Sequence, residues 1–306
     1  MGIFSELAKK YYGRRLYVIG HEGADFDSLA SAYLVSRWLS RLGMDSVPVL
    51  PDTAEAPDAI SREVMLLHGV DTDKWLRAAT LDVAEGAVVL VDCHVSCIFG
   101  EVAAVIDHHP TAEPLPATQE LCFNMTASSC ALTAYRLALA DSVKVTDDEE
   151  ILVVRSVYMD TQSLLSAKFD PADKPWLQDM IKKHSIDEVD LKRRGLCLAD
   201  LSRPVQELAA GGLKYYTLAC RRCASSHIQA ENIPKELIND AAEYLEKRRR
   251  EEGIYVWILF VAEPLSGRSR VIELRDDGRC ERVYDRFLSR SKDIIPDLER
   301  RLSQGT

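Results

Sequence analysis

The chain has 306 residues, 47% of them hydrophobic and 28% charged, with a formal net charge of −10 and an isoelectric point near 5.3. That length buries a proper core and suggests two domains. The acidic balance excludes a broad nucleic-acid-binding surface, which needs clustered positive charge, although bound metals and a few local cations can still hold a small anionic ligand.

In chain order, residues 1–10 mix charge into their apolar positions, unlike a secretory leader, and no run of about 18 apolar residues suggests a membrane span. Residues 15–20 read as a buried strand and 26–42 as an apolar-rich helix. Residues 45–50, 87–91 and 103–106 read as further strands, 126–139 as a helix rich in small residues, and 149–158 as a helix leading into Asp160. Continuous apolar strands spaced by helices imply a mostly parallel sheet covered on both faces. Residues 171–184 form one more helix, and the polar stretch 185–194 reads as a linker region. The rhythm then changes: 214–233 is largely alternating strand. Residues 234–253 form a helix with proline at its start and glycine at its end. Residues 255–261 and 269–274 are strands, and 291–302 is a final helix.

Eight cysteines scatter without a framework spacing, which suits a reduced cytoplasmic protein with free thiols. Cys220-Arg-Arg-Cys223 lacks the second pair that a structural zinc needs and reads as two strand thiols. Lys247-Arg-Arg-Arg250 reads as the solvated end of a helix.

The chemistry concentrates at strand ends. His21-Glu-Gly-Ala-Asp25-Phe-Asp27-Ser28 follows the first strand, and Asp92 ends the 87–91 strand. Asp107-His108-His109 follows the 103–106 strand, and Asp160-Thr161 follows a helix. Hard carboxylates and imidazoles suit divalent cations, and in an open α/β sheet the strand ends face one crevice. Helix capping by Asp27 or Ser28 explains one acid of the first motif, not His21 and both acids together. Adjacent histidines after a buried strand rarely serve packing, because each still needs polar partners.

These motifs, in this order and over roughly the first 190 residues, resemble the DHH phosphoesterase superfamily. By that resemblance His21 and Asp25 hold one divalent metal, Asp27 and His108 the other, Asp92 bridges both, and Asp160 completes the set. Asp107 orients the neighbouring histidines, and His109 faces the transferred phosphate. The glycine-rich, histidine-containing motif of nucleic-acid-cutting members is missing, since Gly211-Gly212 is followed by Leu-Lys-Tyr. Leu288-Ser-Arg290-Ser-Lys292-Asp293 instead is similar to the phosphate-holding segment of the family II pyrophosphatase and exopolyphosphatase branch, and Lys214 stands where that branch places a substrate-facing lysine. Ser291 and Asp293 replace that segment's lysine and glutamine. The first motif lacks that branch's proline and threonine, and Asp92 is followed by Cys93-His94. These departures favour an exopolyphosphatase-like or divergent member.

The expectation is therefore an α/β protein with a parallel-sheet DHH domain over 1–187 and a linker over 188–203. A smaller mixed α/β, DHHA2-like domain over 204–306 closes over the cleft. The implied activity is hydrolysis of a phosphoanhydride by a metal-bridged hydroxide, with two divalent ions, manganese before magnesium or cobalt. Lys214, Arg290 and Lys292 grip the small anionic phosphate substrate. A homodimer is allowed; long nucleic acid and membrane are not expected. The alternatives are a phosphodiesterase acting on short oligonucleotides or cyclic dinucleotides, and a non-catalytic regulatory module.

Overall fold

The protein is described here by a computed structural model covering residues 2–51, 59–81, 86–93, 101–109, 121–166, 168–196 and 198–304, with backbone alone at 59, 291 and 292. The chain divides into two units, Met1–Gly195 and Leu196–Thr306. In the first, strands β1 (Arg15–Ile19), β2 (Asp45–Leu50), β3 (Leu76–Arg77), β4 (Gly86–Val91), β5 (Val102–Asp107) and β6 (Cys122–Asn124) pair in parallel. Their spatial order is β3-β2-β1-β4-β5-β6. Helices α1 (Ile3–Lys10), α2 (Phe26–Arg41), α3 (Ala59–Leu67), α4 (Cys130–Ala140), α5 (Asp147–Asp160), α6 (Lys174–Lys183) and α7 (Glu188–Gly195) complete this unit.

The apolar runs are continuous because the sheet is buried on both faces. Leu16, Val18, Val89 and Val91 join the core formed with α2, α4 and α5, while Tyr17, Ile19, Val88 and Leu90 pack on the opposite side. Trp38 of α2 is fully buried and donates its indole N–H to Glu149, whose carboxylate also accepts both Nη atoms of Arg41 at 2.7 Å. Glu149 closes a capping box with Thr146 at the start of α5, so one residue fixes both the helix entry and its seat on α2.

In the second unit, α8 (Val205–Ala209) precedes β7 (Lys214–Leu218) and β8 (Arg221–Gln229). Helix α9 (Lys235–Glu251) follows, then β9 (Val256–Glu263), β10 (Arg268–Arg275) and β11 (Gly278–Tyr284). The sheet runs β11-β10-β9-β8-β7, with β8 and β9 parallel and the other pairs antiparallel. A π turn over Arg290–Ile294 leads into α10 (Ile295–Gln304). The 214–233 stretch is thus two strands, separated by a tight turn in which Ala219 and Cys220 both adopt positive φ. No described helix is long and apolar enough to cross a membrane.

The boundary differs from the sequence reading. Residues 188–195 are not linker but α7, which lies on α5 through Arg155 and Asp190 and buries Leu191 and Gly195. Gly195 is in close quarters, since a Cβ there would stand 2.7 Å from the Tyr158 carbonyl oxygen. The 126–139 helix begins later, at Cys130, capped by the Ser129 hydroxyl.

Strand order reverses between β1 and β4, and in doubly wound sheets the crevice beyond the strand C-termini opens at that reversal. Gly20, at the end of β1, keeps α2 against it: a Cβ there would lie 3.0 Å from the Ser28 Cβ and far closer to its hydroxyl. Gly20→Ala is therefore expected to lower stability by roughly 1–3 kcal/mol, as overpacking does, and to weaken any divalent-ion binding, because the displaced turn carries His21, Asp25 and Asp27. Thermal melts with and without the ion check both effects.

Candidate metal centre

Four segments meet at this reversal. The turn after β1 supplies His21, Asp25 and Asp27. Asp92 follows β4, Asp107 ends β5 with His108 and His109 just beyond, and Asp160 is the last residue of α5 rather than lying past its end. The helix cap is Asp25, which accepts the Ser28 N–H at 3.1 Å; Asp27, considered as the cap, instead points inward. Its carboxylate accepts the N–H groups of Cys130 (2.6 Å) and Ala131 (3.0 Å) at the α4 N-terminus, and the hydroxyls of Ser156 (2.5 Å) and Ser31 (3.3 Å). A buried carboxylate at a helix N-terminus is favoured by both the unpaired N–H groups and the dipole.

The imidazoles are aimed by their far nitrogens. His108 Nδ1 bonds the Ala127 carbonyl at 3.0 Å and His21 Nδ1 the Glu22 carbonyl at 2.7 Å, which places the proton on Nδ1 and turns each Nε2 toward the acids. Asp107 accepts the backbone N–H groups of His108 (2.8 Å) and His109 (3.2 Å) and the His109 ring at Nδ1 (2.9 Å). Burial alone would raise Asp107; these hydrogen bonds outweigh it and hold the carboxyl at about 2, while Asp107 in turn raises His109.

The convergent atoms form two groups sharing Asp92. His108 Nε2 stands 3.2 Å from Asp92 Oδ1, 3.6 Å from Asp27 Oδ2 and 3.6 Å from Asp160 Oδ2. His21 Nε2 stands 3.4 Å from Asp92 Oδ2 and 3.7 Å from Asp25 Oδ1. Asp92 Oδ1, His108 Nε2 and Asp160 Oδ2 are buried with no hydrogen-bond partner. Such orphaned polar atoms are costly unless something else binds them. Ligands about 2.1 Å from one ion at right angles sit about 3 Å apart, so these separations fit donors arranged around cations. The residues therefore suit divalent metal ions of the oxygen- and nitrogen-binding kind.

Electrostatics agree. Burial, then the charge of Asp92, pushes Asp27 up to about 7. Burial works against protonating His21 and His108, yet their carboxylate neighbours prevail and carry them to about 11 and about 10. The cluster draws in positive charge from every source available.

Asp92 is held in an unusual backbone state, with φ of 57°, and its N–H is shared by the Ile106 carbonyl (3.0 Å) and the Cys130 sulfur (3.1 Å). Strain of this kind gathers at functional sites. Cys130 is fully buried, and that burial pushes its thiol well above the ordinary range. Two residues escaped the sequence reading. Lys168, beyond α5, pairs with Asp160 Oδ1, and Ser156 anchors Asp27 from one turn before Asp160. No motif spacing marks either.

Lys214 and Arg290 belong to the second unit. Lys214 is exposed at the start of β7. Arg290 is half-buried and donates to the Gly212 carbonyl, two residues before Lys214. Gly212 has φ of +54°, and a Cβ there would meet Arg290 Nη1 at 3.3 Å. The Lys292 side chain lies outside the described residues.

Residues 15–158 match the model of the DHH family, N-terminal domain; Asp160 lies two residues beyond the match. A Streptococcus thermophilus protein named probable manganese-dependent inorganic pyrophosphatase is 21% identical, over 93% of this chain and 97% of its own. An Archaeoglobus fulgidus protein of the same name is 20% identical, over 94% and 98%. Among solved structures, a Methanococcus jannaschii protein assigned as a family II inorganic pyrophosphatase superposes with a TM-score of 0.66 at 18% identity, over 94% of this chain and 99% of that one. An exopolyphosphatase-related protein from Bacteroides fragilis gives 0.55 at 11% identity, over 99% and 96%. The first unit, a parallel sheet ending in these motifs, thus carries a match to the DHH family, N-terminal domain, over residues 15–158, just under half of the chain.

Proposed function

We propose that the protein is a manganese-dependent hydrolase of phosphoanhydride bonds that uses two ions. The observation carrying this reading is that Asp92 turns one oxygen to His21 (3.4 Å) and the other to His108 (3.2 Å), among clustered acids and imidazoles that include three buried atoms with no hydrogen-bond partner. His21, Asp25 and Asp92 would hold one ion; Asp27, Asp92, His108 and Asp160 the other. When bound, such ions supply an activated water and neutralise charge on the reacting phosphate. The chain's own residues do the rest. Asp107 accepts from His109 Nδ1 and favours the imidazolium form, so that this partly exposed ring, when protonated at both nitrogens, can donate from Nε2 to a phosphate oxygen. By the resemblance, Arg290, Lys214 and Lys292 of the second unit would hold a non-reacting phosphate, the guanidinium as a fork and the ammonium groups as point charges. The names of the relatives favour pyrophosphate, and the departures at Ser291 and Asp293 favour polyphosphate. The free thiols among the described cysteines suit the cytoplasm.

The test is a manganese-loaded substrate panel read by product release: pyrophosphate, short and long polyphosphate, and dinucleotides. Turnover of pyrophosphate or polyphosphate that disappears on chelation is expected. Cleavage of dinucleotides alone would make the protein a phosphodiesterase of the same family.

A further inference from the structure

Lys168 is the one lysine or arginine among the described residues that forms an ion pair with any of the clustered carboxylates. Its ammonium sits on Asp160 Oδ1, on the side away from the oxygen that faces His108. Its side chain is 42% exposed, whereas that of Asp160 is 4% exposed, so the lysine lies between the buried acids and solvent.

Charge counting gives this position a purpose. Asp25, Asp27, Asp92 and Asp160 carry four negative charges. Two divalent ions would cancel them, and Asp107 is already engaged by His109. A metal-loaded centre built from the acids alone is therefore neutral overall, so its pull on an anion comes only from the open coordination positions of the ions. Lys168 tips the balance by one positive charge at the solvent side. An ammonium has three N–H donors, and a carboxylate oxygen such as Asp160 Oδ1 takes one.

We propose that Lys168 is a phosphate-binding residue of the first unit, contacting the reacting phosphate group from the edge of the metal centre. This deepens the metal reading above and rests on it. The contact is independent of Arg290, Lys214 and Lys292, since all of its parts lie between Asp25 and Lys168.

The test is calorimetric titration of inorganic phosphate and of imidodiphosphate, which resists hydrolysis, into the manganese-saturated full chain, for wild type, Lys168→Met and Lys168→Arg. Manganese binding to each protein is measured separately by electron paramagnetic resonance. Lys168→Met is expected to weaken both anions about ten- to a hundredfold, the range for a lost charge-assisted contact. It should leave manganese stoichiometry unchanged and its affinity equal or tighter, because a neighbouring positive charge has gone. Lys168→Arg should stay within a few-fold of wild type. Unchanged anion binding in Lys168→Met overturns the proposal. So does parallel loss of manganese, which would make Lys168 a prop for Asp160, and so does a wild type that binds neither metal nor phosphate. If Lys168-dependent phosphate binding persists while the substrate panel shows no hydrolysis, the hydrolase reading fails and this inference stands.

Discussion

Asp92→Asn is expected to abolish hydrolysis and to cost at least about a hundredfold in manganese affinity, while the protein stays folded. Even residues that only orient metal ligands change affinity by about ten- to a hundredfold, and Asp92 presents one oxygen to each group, 3.4 Å from His21 and 3.2 Å from His108. Asparagine is the informative replacement because it tolerates the left-handed backbone that Asp92 adopts at φ 57°. It keeps the side-chain shape and removes only the charge. Without metal the variant should melt close to wild type, since relief of the repulsion that Asp92 exerts on Asp27 is offset by loss of its ion pairs with His21 and His108. Manganese stoichiometry, product release and a thermal melt decide the matter. Near-normal turnover with full metal content would sink the two-ion mechanism.

The second large effect concerns stability of the other unit. Glu273 on β10 is 1% exposed and faces three arginines. It accepts from Arg301 at both oxygens (2.5 and 3.1 Å) and from Arg275, and it forms an ion pair with Arg282 at 3.0 Å. Glu273→Gln would leave these guanidinium groups opposite an amide. Breaking a buried pair costs about 3–5 kcal/mol; because the arginines are between a quarter and somewhat over a third exposed, about 2–3 kcal/mol is the better expectation. Hydrogen exchange of β9 and β10 peptides measures it. Burial would raise the Glu273 carboxyl, but Arg301 and its neighbours hold it below its ordinary value. Its stabilisation is therefore complete above the unfolded value of about 4.3 and fades as pH falls through the lower folded value. Wild type and variant should converge in acid. A gap that persisted below that window would mean that shape, not charge, sustains the contact.

Much of the candidate centre was legible because three of its four segments begin where an apolar strand stops, and the fourth, Asp160, closes a helix. Runs such as Val88 to Val91 leave no choice but a strand buried on both faces, and strand ends in a parallel sheet share one side. What escaped was whatever lacks a period. Lys168 and Ser156 reach the centre only through tertiary packing, and Cys130 acts through a backbone N–H and a thiol that any helix start could carry. Helix α7 was read as linker because Leu191 is its only large buried side chain. Strand β11 is an exposed edge with little apolar signal, and β6 is three residues long.

The two ligand groups are unequal in their freedom. Asp27 is pinned by four donors from three helices, and it, His108 and Asp160 are sealed from solvent. Asp25 is about half exposed and holds only the first turn of α2, with His21 nearly a third exposed beside it. An ion on the sealed side would freeze no rotor on arrival and would leave only through a local opening of the fold. An ion on the open side could trade with bulk solution at the pace of its own water exchange. One cation would thus behave as a resident part of the protein and the other as a passenger, so that dialysis would empty the centre by halves.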